Sequence, residues 1–207
     1  MIMKARHHWI VYPFFKWYAV WKVNRNFKPV SIIGEVTDKG LPVLFIANHV
    51  SWWDGFWLQY LNQSIFNRKL HFMMLEEQLR KFWFFNLSGG YSVRKSSRSL
   101  IESLNYTVEL LSDRKNFVFI FPQGEIVSMH KNHFEFGKGL SYVLKNLENS
   151  VQIIFVANLT DYFSKEVPCL NIYIEEVRLA QLDNLQIETR YNQFYQECIK
   201  NQIQIRT

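Results

Sequence analysis

Residues 43–54 read Val-Leu-Phe-Ile-Ala-Asn-His-Val-Ser-Trp-Trp-Asp, an apolar run that gives way to Asn48 and His49 and ends on a carboxylate, Asp54. A short continuous apolar run suits a strand buried on both faces, as at the centre of a parallel sheet. Asp54 then opens a helix expected over about 54–63, so the stretch is a strand, a tight loop and a helix in succession. The same order recurs outward from it. Strands are expected at Val30–Glu35, His71–Leu75, Tyr91–Val93, Phe117–Phe121, 151–158 and 168–177. Helices are expected near 8–23, at Glu76–Phe84, from Ser96 or Ser97 to about Leu111, and near 139–148 and 187–202. In the helix that ends near Leu111, residues Leu100, Ile101, Leu104, Val108 and Leu111 share one face. Strands alternating with helices predict an α/β fold: a single domain with a mixed, mostly parallel central sheet flanked by helices. Reactive groups of such sheets gather at strand ends and in the loops that follow.

Composition bounds the function. The chain has 207 residues, which fits one domain able to bury roughly 70% of its unfolded surface. With 48% apolar residues and few Gly and Pro, it is neither disordered nor of low complexity. Cys169 and Cys198 make no disulfide framework and no CxxC pattern, which fits a reducing compartment or one indifferent to redox state. The charge is uneven: residues 1–40 hold seven basic and two acidic residues, +5 of the total +6. Between those charges, Trp9–Val23 is dense in aromatic rings. Lys16 interrupts this run, which is too short and broken for a transmembrane helix or signal peptide. It is expected to be an amphipathic helix lying in an anionic membrane interface.

Three loops carry candidate chemistry. In the first, Asp54 can fold back across the strand-to-helix turn onto His49, fix its tautomer and leave the other ring nitrogen as a base. A satisfied loop histidine beside a helix-capping aspartate is the plainer alternative. In the second, Phe121-Pro122-Gln123-Gly124-Glu125 ends an apolar strand, and Phe136-Gly137-Lys138-Gly139 follows; such a turn with a lysine at a helix start can hold an anion. In the third, Gly89-Gly90-Tyr91-Ser92-Val93-Arg94-Lys95 sets Arg94 before a helix N-terminus, a suitable place for a phosphate or carboxylate.

In order and spacing these segments resemble the glycerolipid acyltransferase family, whose best-known members acylate lysophosphatidic acid. Asn48-His49-Val50-Ser51-Trp52-Trp53-Asp54 matches the family's NHxSxxD block in full. Gly90 to Arg94 matches its Gly-to-Arg block, Phe121 to Glu125 matches its FPEGT block in part, and Val151–Val156 its apolar fourth block loosely. The resemblance covers roughly residues 40–160 and divides the chain into a basic aromatic interface segment, 1–28, and an acyltransferase domain, 29–207. It implies that His49 removes a proton from an acceptor hydroxyl attacking an acyl thioester, that Asp54 orients and charge-stabilises His49, and that no acyl-enzyme forms. It further implies a phosphate site using Arg94, Gly124 and Lys138, with Pro122 and Glu125 in the same loop. The resemblance also implies acyl-CoA or an acyl carrier protein as the donor, used as co-substrate with no other cofactor, and a lysolipid as the acceptor. The protein is expected to lie peripherally on a cytoplasm-facing membrane.

The departures concern the acceptor. Gln123 stands for the family's Glu, Glu125 for its Thr or Ser, and Ile126 where Arg or Asn is frequent. A carboxylate beside a phosphate is unfavourable, so a lyso-aminolipid or glycolipid acceptor is the alternative unless Glu125 pairs with Lys138 or Arg94. The helix over 97–111 and the run Phe82–Phe85 are candidates for lining an acyl tunnel, although core packing explains them equally. His130 and His133 are too few for a metal site, and no nucleic-acid-binding signature accompanies the basic charge. An inactive scaffold has no need of the intact His49 and Asp54.

Overall fold

The computed structural model describes residues 2–94, 97–178 and 184–205, and only the backbone of Ser97, Asn184 and Leu185. The chain runs α1 (Val11–Asn26), β1 (Val30–Ile33), β2 (Val43–Ala47), α2 (Asp54–Ile65), β3 (Lys69–Leu75), α3 (Glu76–Lys81), β4 (Gly90–Val93), α4 (Ser97–Leu110), β5 (Asn116–Ile120), α5 (Lys138–Lys145), β6 (Gln152–Asp161), β7 (Cys169–Val177) and α6 (Asn184–Gln204). The strands form one seven-stranded sheet in the order β1-β7-β6-β2-β5-β3-β4. β6, β2, β5, β3 and β4 are parallel to one another. β7 is antiparallel to β6 and carries β1 parallel on its outer side. This is the mixed, mostly parallel α/β sheet that the alternation of elements predicts.

Every residue of β2 is buried, because helices cover both faces. Val43, Phe45 and Ala47 face α1 and α2, with Phe15, Ala19, Trp57 and Leu61. Leu44 and Ile46 face the opposite layer, with Leu104, Leu140, Val143 and Tyr191. The chain leaves β2 toward β3 through α2, and leaves β5 toward β6 through α5 on the other face. Right-handed crossovers in opposite directions require this. β2 and β5 are adjacent, so their carboxyl ends form a switch point, where open α/β sheets keep their ligand crevice.

Three elements depart from expectation. The helix expected to run to Phe84 ends at Lys81, and a 3₁₀ turn at Trp83–Phe85 follows. Phe82, Trp83 and Phe84 therefore face solvent and line no interior tunnel, while Phe85 packs on Phe15 and Phe72. In α4, Leu100 and Ile101 are exposed, and Ser103, Leu104, Tyr106, Thr107 and Leu110 are buried. Small hydroxyl residues set this face: Ser103 Oγ donates to the Ser92 carbonyl at 2.8 Å, and Thr107 Oγ1 meets Tyr91 Oη at 2.6 Å. The proposed cap residue Ser96 and the side chain of the other, Ser97, lie outside the described residues, as does Lys95. The helix α1 is apolar on two sides, burying Phe15, Ala19 and Val23 and exposing Phe14, Trp17 and Trp21.

The chain start closes the far edge of the sheet. The Ser92 amide donates to the Met3 carbonyl at 3.0 Å and the Gly89 amide to that of Arg6 at 3.0 Å, while His7 bridges to Ser88. Such cover protects an edge strand from pairing with another chain. Gly89, at φ +104°, makes the close approach possible: a Cβ there would sit 1.9 Å from the Leu70 carbonyl oxygen.

Candidate active site

Strand register aligns the candidate residues. Ile46 pairs with Ile120, Phe119 with Phe72, and Phe72 with Gly90. Counted on in that register, His49, Gln123, Glu76 and Arg94 form a row that follows the carboxyl ends of β2, β5, β3 and β4 respectively. At about 4.8 Å between strands, this row spans about 14 Å.

At its β2 end, Asp54 is fully buried and the His49 side chain is 23% exposed. His49 Nδ1 lies 2.8 Å from Asp54 Oδ2, and the amides of Val50 and Ser51 donate to the same oxygen at 2.7 and 2.9 Å. Asp54 is the first residue of α2, where the helix dipole also favours a negative charge. Burial pushes the Asp54 carboxyl above the usual carboxylate range, while the hydrogen bonds from His49 and the two amides oppose that rise. An ionised Asp54 accepts the Nδ1–H and leaves Nε2 with its lone pair. Among the described residues Nε2 has no hydrogen-bond partner. The ring lies flat on Phe121, centroids 4.0 Å apart, which fixes its plane. Asn48, also fully buried, donates to the Asn158 carbonyl at 3.1 Å and accepts from its amide at 2.9 Å. These bonds continue the β2–β6 ladder past Ala47 and fix where the histidine loop begins.

The loop after β5 closes beside this pair. The Gly124 amide donates to Phe121 at 3.0 Å, and the Pro122 carbonyl accepts from Gly137 at 2.8 Å. That second bond joins the Pro122 turn to the start of α5, where Lys138 is exposed. Gly124 sits at φ +74°, left-handed backbone that glycine adopts without strain. The Gln123 amide is buried with neither its oxygen nor its nitrogen hydrogen-bonded. Glu125 points into solvent and pairs with neither Lys138 nor Arg94 among the described residues. Arg94 is taken by Glu76 instead: Nε donates to Oε2 at 2.6 Å and Nη2 to Oε1 at 2.8 Å.

The structure thus brings His49, Asp54 and the Phe121–Gly124 turn together, ties Lys138 to that turn, and sets Arg94 at the far end of the row. Reading by motif passed over Glu76, which lies outside every block, and gave Asn48 and Phe121 no role. An aromatic residue directly before the Pro-Gln-Gly turn is the signal for Phe121. No group of three or more His, Cys, Asp or Glu side chains able to hold a metal occurs among the described residues.

A family model described as Acyltransferase matches residues 29–158, well over half of the chain. A search of curated proteins found no match by sequence. Among solved structures, the chain is similar to the 1-acyl-sn-glycerophosphate (LPA) acyltransferase PlsC from Thermotoga maritima. The TM-score is 0.69 at 14% identity, covering 94% of this chain and 80% of that one, a likeness of fold. On the extent of the family match, this chain belongs to the acyltransferase family.

Proposed function

We propose that the protein moves a fatty acyl group from a thioester, acyl-CoA or acyl carrier protein, to a hydroxyl of a lysolipid, with 1-acylglycerol-3-phosphate as acceptor. The observation that carries this reading is His49 held through Nδ1 by buried Asp54, with Nε2 open at the switch point. Nε2 takes the hydroxyl proton as the acceptor oxygen bonds to the thioester carbonyl carbon. The C–S bond then breaks, and the proton passes from Nε2 to the departing thiolate. Asp54 stabilises the imidazolium between those steps. General-base help of this kind contributes about 10²–10⁴-fold; the remainder comes from holding thioester and hydroxyl in attack geometry.

The charges around the row favour a phosphate-bearing acceptor, as does the activity named for the Thermotoga maritima protein. Arg94 and Lys138 supply cations, and Gly124 lets the backbone approach. Gln123 puts a neutral amide at the buried position, and the carboxylate of Glu125 lies in water, where it is screened. Within this reading the protein binds peripherally to an anionic membrane leaflet, taken to be the cytoplasm-facing one, and the partner is lipid; exposed aromatic and basic residues support the membrane part of it. Trp17 and Trp21 are exposed on α1 between Lys16, Lys22 and Arg25. From Tyr18 the aromatic contacts continue through Phe56 to Trp52, beside the histidine loop. No helix among the described residues is long and apolar enough to cross a membrane.

The test is an acyl-transfer assay with a labelled thioester and lysolipids bearing phosphate, zwitterionic, amino-acid and sugar heads. We expect transfer to the phosphate-headed acceptor, abolished in folded His49→Ala. Full activity of that variant would refute the mechanism, and transfer only to sugar or amino-acid heads would replace the acceptor.

A further inference from the structure

Glu76 belongs to none of the sequence motifs, yet two arginines converge on it. It is the first residue of α3, directly after β3, and therefore stands in the row one strand nearer to His49 than Arg94. Arg94 binds it side-on through Nε and Nη2. Arg80 donates to Oε1 through Nε at 3.0 Å and Nη2 at 2.8 Å. The Glu76 side chain is 9% exposed, between arginine side chains that are 63% and 54% exposed. The carboxylate is covered and the cations are open.

We propose that Glu76 is the positioning residue of the acceptor's phosphate site, drawing the Arg94 guanidinium toward His49 and fixing its plane. The proposal rests on the reading of Arg94 as a phosphate ligand. A side-on fork uses Nε and one N–H of Nη2, leaving both N–H groups of Nη1 and the second of Nη2 for an incoming anion. Arg80 keeps the trio at a net charge of +1, so the site still attracts a phosphate. Its two arginines hold the Glu76 carboxyl at about 2, against an ordinary 4.5, so the trio keeps this charge throughout the neutral range. Without Glu76, Arg94 would be a half-exposed side chain at the sheet edge, held only by the longer-range attraction of Glu102 and with more rotamers open to it. Ordering it on binding would then weaken the acceptor several-fold.

The experiment measures direct binding, kcat and KM for 1-acylglycerol-3-phosphate and for phosphate-free 1-acylglycerol, in wild type, Glu76→Gln, Arg94→Ala and the double variant. We expect Glu76→Gln to raise Kd and KM for the phosphate acceptor about 5–10-fold, with kcat within about twofold and the neutral acceptor unaffected. Because Glu76 acts through Arg94, the double variant should be no weaker than Arg94→Ala alone. Tighter binding in Glu76→Gln would mean that the carboxylate competes with the phosphate, and equal losses on both acceptors would mean a structural role; either overturns the proposal. If Glu76→Gln does not fold, Glu76→Asp, which keeps the charge but shortens the reach, is judged by the same criteria. Arg94→Ala without effect on the phosphate acceptor overturns the phosphate reading and this proposal together. An effect of Arg94→Ala with none of Glu76→Gln overturns the positioning role alone.

Discussion

The residues that follow β2 and those that follow β3 and β4 both leave carboxyl ends of parallel strands, yet they are built differently. His49 and Asp54 are five positions apart, and Asp54, the first residue of α2, is fully buried while His49 is 23% exposed. Arg94 and Glu76 are 18 positions apart, come from different strands, and leave Arg94 54% exposed. Burial suits the first task. A low-dielectric setting strengthens the bond between carboxylate and imidazole and holds one tautomer in place. Exposure suits the second. In the proposed role, a cation that takes up and releases an anion cannot give up water entirely beforehand without a large desolvation cost.

If this contrast is right, substitutions at the two ends change different kinetic constants. Asp54→Asn keeps the size of the side chain but weakens its hold on Nδ1–H and on the imidazolium. We expect kcat to fall about 10²–10⁴-fold, with KM for the phosphate acceptor changed less than about threefold. Arg94→Ala should do the reverse, raising that KM about 10–100-fold, as loss of charge-assisted hydrogen bonds implies. Steady-state kinetics of both variants decide the matter. A kcat loss in Arg94→Ala as large as that in Asp54→Asn would break the contrast and place the guanidinium at the reacting carbons.

The same contrast explains what could be read in advance. The catalytic loop is local, so an apolar run ending in Asn-His with Asp five residues beyond His was enough to anticipate the bond from His49 to Asp54. That β2 and β5 are buried strands was also legible from their continuous apolar runs, but that they lie side by side was not, because the pairing is non-local. Glu76 was not legible, because its link to Arg94 depends on Leu75 pairing with Val93, a register that no local pattern encodes. The face of α4 was misread for a related reason. Leu100 and Ile101 look like core residues by period, but the hydroxyls of Ser103 and Thr107 meet β4 and turn them outward. In α1, aromatic residues point both inward and outward, so periodicity alone could not say which side meets α2.

The β4 edge depends in turn on buried imidazoles, which gives the contrast a pH dependence. His7 Nε2 lies 2.8 Å from the Leu70 carbonyl, and its ring stands 4.7 Å from that of His71. Burial, then His7 and Lys69, lower His71 from 6.5 to about 3. Burial and Lys69 also lower His7, against the raising effect of its bond to Leu70. The unfolded chain therefore binds more protons than the folded one between about 3 and 6.5, and stability falls as pH drops through that window. From about pH 7.5 to 5.5 His71 alone accounts for about 1.4 kcal/mol. Urea unfolding at the two pH values should show this loss, reduced by about that amount in His71→Phe. An equal loss in that variant would free the arginine edge from any dependence on His71.

The exposed aromatic surface proposed to meet a membrane supplies the smallest effect and separates the two ends in another way. The aromatic stripe of α1 joins the row at its catalytic end: Phe27 packs edge-on against Trp53 at 5.1 Å, and Trp52 stands 63% exposed beside it. Trp17 and Trp21 stack on one another outside the core, 6.1 Å apart, so replacing both with Ser removes interfacial area without opening a cavity. We expect Trp17→Ser with Trp21→Ser to lower partition onto anionic vesicles about 5–10-fold. Turnover of a short-chain acceptor dissolved as monomers should not change. Partition measured by co-sedimentation, with transfer measured on both forms of acceptor, distinguishes delivery from chemistry. If the monomeric acceptor loses as much activity as the vesicle-bound one, the stripe shapes the catalytic end itself, and the separation between a dry reacting pair and a wet binding edge no longer holds.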